Sequence, residues 1–111
     1  MKDQKTGPAV RDDEEGSRYV LPVNADRDAE AAIAAYEIDG GTITFTHTEV
    51  PESARGQGVA SRLIEGALAD VRHRGLHVVP VCSAFAGWMQ RHPESHDLLA
   101  PEGRAMMTSR P

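Results

Sequence analysis

The residues best suited to chemistry lie between positions 47 and 61, with one more at 82. Arg55-Gly56-Gln57-Gly58-Val59-Ala60-Ser61 sets two glycines one residue apart, after an arginine and before a stretch of helical apolar periodicity. Glycine admits backbone turns closed to other residues and has no Cβ to hold an anion away. A helix starting near Val59 would offer N–H groups without intrahelical acceptors and the positive end of its dipole. Strand, glycine loop and helix N-terminus, in that order, bind phosphate. Arg55 adds a cation suited to a phosphate oxygen. His47 and Cys82 are a base and a nucleophile by type. A neutral imidazole takes a proton from an amine or a thiol, and a sulfur ahead of a helix start meets positive charge.

These residues need elements to hold them. Thr42 to Val50 alternates as a strand, which predicts one face carrying Ile43, Phe45, His47 and Glu49 and the other Thr44, Thr46, Thr48 and Val50. The first face turns from apolar to polar toward the glycine loop. Val59 to Arg74 reads as a helix, with Val59, Leu63, Ile64, Ala67, Leu68 and Val71 in one stripe and Gly75 as its left-handed exit. Leu76 to Cys82 reads as a buried strand, so strand, helix and strand form a parallel pair. Pro80 removes a ladder donor, which predicts that the two strands part near their C-terminal ends and leave a gap for a ligand. His47 and Cys82 both fall near strand C-termini, where open α/β sheets collect ligands.

Upstream, Arg18 to Val23 reads as an edge strand because of Pro22, and Asn24 to Asp28 as a polar turn. Glu30 to Ile38 is taken as a strand that enters a hairpin at Asp39-Gly40-Gly41. Downstream, Ser83 to Gln90 is a short helix carrying Phe85, Trp88 and Met89 as core, and Leu98 and Leu99 pack. The expected architecture is α/β: a compact mixed sheet, antiparallel in its N-terminal part, with one parallel strand–helix–strand unit and two to three helices.

A chain of 111 residues suits one domain. The acidic run Asp12-Asp13-Glu14-Glu15 and the scarcity of apolar residues before it predict a disordered segment over residues 1–16, a domain over 17–99 and a tail over 100–111. A single cysteine excludes an internal disulfide and fits a reducing compartment. No apolar run of spanning length and no leader pattern is present, so the expected setting is cytoplasmic, away from membranes. The net charge of −5 argues against a nucleic-acid partner and suits a cationic one.

Other phosphate motifs fit less well. A P-loop needs Gly-Lys-Ser/Thr, and no lysine lies near. A dinucleotide fold needs a third glycine and an acidic end to the next strand, which here ends in Val81-Cys82. The pattern Arg55-Gly56-Gln57-Gly58-Val59-Ala60 instead resembles the Gln/Arg-x-x-Gly-x-Gly/Ala loop of the GCN5-related N-acetyltransferases. With Thr46-His47-Thr48-Glu49-Val50-Pro51, Val79-Pro80-Val81-Cys82 and Arg91-His92-Pro93-Glu94, the chain from about Arg18 to Leu99 resembles the minimal, YjdJ-type small acetyltransferases.

That resemblance implies acetyl-CoA as co-substrate, with its pyrophosphate held by Arg55, Gly56, Gln57, Gly58, Val59, Ala60 and Ser61. It implies N–H groups near Glu49 and Val50 against the thioester carbonyl, and His47 and Cys82 at the reacting centre. The expected reaction is acetyl transfer to a primary amine: a protein lysine, a polyamine or a small amine. Direct attack on the thioester is favoured over an acetylated Cys82. The expected partners are a small-molecule CoA ester and an amine or basic-protein acceptor, with the chain a monomer or weak dimer. A CoA-binding module without turnover, acting through protein contacts, is the alternative; a hydrolase using Cys82 would need a residue to orient the histidine. Cysteines are often inert buried thiols, and a histidine in a Thr-rich strand is often a surface residue. His92 and His96 are four apart but not His-Glu-x-x-His, so no metal is expected.

Overall fold

The computed structural model describes residues 10–23 and 31–108. The turn expected over Asn24 to Asp28 lies outside them. Five strands form one sheet in chain order: β1 (Arg11–Asp13), β2 (Arg18–Pro22), β3 (Ala31–Asp39), β4 (Thr42–Glu49) and β5 (His77–Pro80). The first four pair antiparallel, and β4 pairs β5 in parallel. The crossover is α1 (Val59–Arg74), followed after β5 by α2 (Ser83–Arg91) and α3 (Pro101–Thr108). This is the expected mixed α/β architecture.

The hairpin between β3 and β4 turns at Gly40, whose φ of 63° suits glycine. The inner face of the sheet carries Tyr19, Leu21, Ala32, Ala34, Tyr36, Ile43 and Phe45, all buried. On the stripe that the sequence predicts, Val59, Leu63, Ile64, Ala67, Leu68 and Val71 are buried with them. Gly75 ends α1 at φ 73°, and its N–H donates to the Arg72 carbonyl. From α2, Phe85 stacks on Phe45 with ring centroids 3.9 Å apart.

Three boundaries differ from expectation. Residues 1–9 lie outside the described ones, but Arg11–Asp13, placed in the disordered segment by composition, form a strand on β2. Composition misled because this strand is held by polar groups from afar. The Tyr36 hydroxyl donates to Asp12 Oδ1, and Arg74 Nη1 reaches Asp12 Oδ2 at 2.7 Å. Asp13 accepts from Arg18 Nε at 3.0 Å, and Val10 lies against Gly66 of α1. Among the described residues β1 covers β2 from Arg18 to Val20, and Pro22 lies past that overlap.

The tail expected from residue 100 onward contains α3 instead. Leu99 bridges Val78, and the Ala100 N–H donates to the Val78 carbonyl at 2.9 Å, so the segment covers the free edge of β5. α3 then docks through Gly103, where an added Cβ would stand 2.6 Å from the Val78 carbonyl oxygen. The third difference is that β5 stops at Pro80 rather than reaching Cys82.

Candidate active site

The two strands part where the sequence predicts but not through the missing N–H of Pro80: His77 bonds toward β4 and Val78 toward Ala100, so Pro80 faces the outer edge, and the donor diverted from β4 is that of Val81. The β4–β5 ladder runs from Thr42 opposite His77 to Phe45 opposite Pro80. One further rung follows, from the Cys82 N–H to the Phe45 carbonyl at 2.8 Å. The Val81 N–H turns back to the Val79 carbonyl at 3.1 Å, and the chain enters α2 at Ser83. β4 continues to Glu49 without that neighbour, so the two strands fork.

The face alternation does not survive along β4. Ala35 opposes His47, whereas the next residue, Tyr36, opposes Phe45. Thr46 is therefore an extra residue, a β-bulge, and every side chain beyond it changes face. Thr48, opposite Ala34, joins the inner face, while His47 and Glu49, opposite Ala35 and Ile33, lie on the outer one. The expected shared face of Ile43, Phe45, His47 and Glu49 is thus corrected. Strict alternation holds only while the ladder has no extra residue.

The bulge separates the two residues singled out for chemistry. The Thr48 hydroxyl lies 3.1 Å from Cys82 Sγ, inside the fork. His47 Nε2 lies 2.8 Å from Glu49 Oε2 on the other side of the strand. Cys82 is half-buried and begins α2, which has no side-chain cap. His47 and Glu49 are both exposed.

The glycine loop follows a 3-10 turn over Glu52–Ala54. Gly56 and Gly58 adopt φ of 79° and 75°, and an added Cβ at either would meet nothing within 4 Å. Backbone handedness, rather than crowding, requires glycine there, and the space beside it is open. Gly58 caps α1 without a side-chain acceptor for its N-terminal amides. A cavity of about 190 Å³ lies against these amides, lined by Val50, Ala54, Arg55, Gly56, Gly58, Val59, Ala60 and Ser61. A second, of about 470 Å³, is lined by His47, Thr48, Glu49 and Pro51 with Ala31 of β3. Val50 and Arg55 line both, so the two cavities adjoin.

Most of the expected binding residues therefore meet in one place. Two contribute differently. The Val59 side chain is in the core, which leaves its N–H for the cavity. Gln57 folds back, its amide donating to the Ser53 carbonyl at 3.3 Å. Sequence reasoning missed Thr48, Pro51 and Ala31; for Thr48 the sequence carries no sign of the bulge that turns it inward.

His92 and His96 have a structural task. Nδ1–H of His92 donates to the Trp88 carbonyl and Nε2–H of His96 to the Met89 carbonyl, each at 2.7 Å, closing the C-terminal end of α2. His92 also stacks on Trp88, with centroids 3.8 Å apart. Among the described residues no group of three potential metal ligands occurs.

An open glycine loop at a helix N-terminus, beside a fork between parallel strands, suits a phosphate-bearing ligand on an α/β sheet. The family description GCN5-related N-acetyl-transferase matches residues 18–98, and the chain belongs to that family. Family members bind CoA esters and generally use acetyl-CoA. The fold is similar to the solution NMR structure of a GCN5-like candidate N-acetyltransferase from Staphylococcus aureus. The TM-score is 0.63 at 18% sequence identity, over 86% of this chain and 91% of the other. No curated protein matches the chain. No helix among the described residues is long and apolar enough to cross a membrane.

Proposed function

We propose that the protein transfers acetyl from acetyl-CoA directly to a primary amine. The observation that carries this reading is the continuity of the glycine cradle with the fork. The cradle's amides and Arg55 suit a diphosphate, and the adjoining cavity runs along β4 past Glu49 and His47 to Thr48, whose hydroxyl lies 3.1 Å from Cys82 Sγ. A pantetheine arm in the gap would place its thioester near both, with amides near Glu49 and Val50 available to the carbonyl oxygen.

The reaction needs few protein groups. An ammonium acceptor first loses a proton to a base, a role for His47, which lines the same cavity as Thr48. The amine nitrogen attacks the thioester carbon, the carbon–sulfur bond breaks, and CoA leaves as thiolate. The second nitrogen proton goes to that thiolate or to solvent. Direct transfer is favoured over an acetylated Cys82 because His47 hydrogen-bonds Glu49, while the polar neighbour of the thiol is a Thr48 hydroxyl, a poor base. The acidic net charge, −5, suits a cationic acceptor such as a lysine side chain or a polyamine.

Calorimetry with CoA and acetyl-CoA, followed by CoA release with a panel of amines, tests the proposal. Heat with both nucleotides and amine-dependent release are expected. Absence of heat overturns the acetyltransferase reading. Heat without release leaves the CoA-binding module in its place.

A further inference from the structure

Glu49 is drawn into this reading through its backbone, yet its side chain has a definite partner. Residues two apart on a strand project from the same face. On the outer side of the bulge this brings His47 Nε2 to 2.8 Å from Glu49 Oε2. A carboxylate only accepts, so the proton of this hydrogen bond sits on Nε2. The opposing β3 residues, Ala35 and Ile33, are uncharged, and Arg55 is the other charged group lining the same cavity.

We propose that Glu49 is a positioning residue for His47: it fixes the imidazole as the Nε2–H tautomer and turns Nδ1 into the base that accepts the acceptor amine's proton. The proposal rests on the acetyltransferase reading. In the transfer, one ammonium proton moves to the Nδ1 lone pair, Nε2–H stays with Glu49, and the imidazolium later releases the added proton to solvent. The His47 and Glu49 side chains are 58% and 65% exposed, so the pair contributes little to stability. Its effect is on which nitrogen carries the proton and where the ring points.

The test combines a spectroscopic signature with kinetics on the full chain. Nitrogen-15 NMR of the His47 ring should show mainly the Nε2–H tautomer at neutral-imidazole pH. Glu49→Ala should give a tautomer mixture and lower kcat by about tenfold or more, a part of the roughly 10²–10⁴-fold that a general base supplies. KM for acetyl-CoA should stay unchanged. Glu49→Gln, whose amide oxygen still accepts, should restore the tautomer and part of the rate. An unchanged tautomer ratio in Glu49→Ala, or a loss confined to KM, overturns the proposal. A wild-type chain that binds no CoA overturns the transferase reading and the base with it, whichever tautomer is seen.

Discussion

The Thr48 hydroxyl and the Cys82 sulfur stand 3.1 Å apart although 34 residues separate them in the chain. They span the fork where β4 and β5 cease to pair. The contact exists because the bulge at Thr46 turns Thr48 inward and Val81 turns its N–H back to Val79 before Cys82. It puts a thiol where a thioester is expected, with a hydroxyl rather than an imidazole beside it.

Cys82 should accordingly be dispensable as a nucleophile. Intact mass spectrometry after incubation with acetyl-CoA should show no adduct, and Cys82→Ser should keep kcat within about tenfold of wild type, a barrier change of about 1.4 kcal/mol. A stable adduct that disappears in Cys82→Ala would establish the covalent route instead.

The cradle should respond to both charge and backbone. Arg55→Ala should weaken CoA binding by about tenfold, or about 1.4 kcal/mol, just below the roughly 1.5–3 kcal/mol of charged hydrogen bonds because the side chain is exposed, and should flatten its salt dependence. Gly58→Ala forces a Cβ into a left-handed conformation, at φ 75°, for about 1–2 kcal/mol. Calorimetry should show weaker CoA binding in both variants, and thermal melting should show a lower Tm only in the second.

Stability should fall in alkali. Burial, and then the Asp70 carboxylate accepting from its hydroxyl, hold the Tyr19 phenol well above its ordinary value of 10.0. Burial, and then Asp12, do the same for Tyr36. A raised folded-state value means the fold keeps the proton more tightly than the unfolded chain. Both contributions are therefore complete below about pH 10 and decline as pH rises beyond it, by at most about 1.4 kcal/mol per pH unit for each tyrosine. Melting curves between pH 8 and 11.5 should show a plateau and then a fall, with Tyr19→Phe and Tyr36→Phe each giving a shallower fall.

Gly103→Ala sets helix propensity against a clash. Alanine gains about 1 kcal/mol over glycine inside a helix. Here its Cβ would sit 2.6 Å from the Val78 carbonyl oxygen, with Leu99 and Pro80 side chains at 3.1 Å. Backbone cannot yield as a flexible side chain can, and overpacking costs about 1–3 kcal/mol. A lower Tm is expected; a higher one would mean α3 is loosely seated.

Much of this was legible in the sequence because it is local. The alternating run before the loop, the apolar stripe of α1, Gly75 as its exit and the paired glycines each state their conformation within a few residues. Pro80 marks the place where the strands part but not the cause, because its side of β5 faces Ala100 and not β4. What escaped was set by distant partners. The charged Asp12 reads as disordered until Tyr36 and Arg74 close on it. Residues 101–108 read as a tail until Gly103 meets Val78.

The sequence alone determined the order of strand, glycine loop, helix and strand, and with it the open loop at the N-terminus of α1, because propensity and periodicity act over one or two turns of chain. Only the tertiary structure decided which side chains face one another along β4 and the fork beside that loop. The bulge at Thr46 has no local signature, and one extra residue in a ladder exchanges the faces of all that follow. So Thr48 meets Cys82, and His47 is left to Glu49.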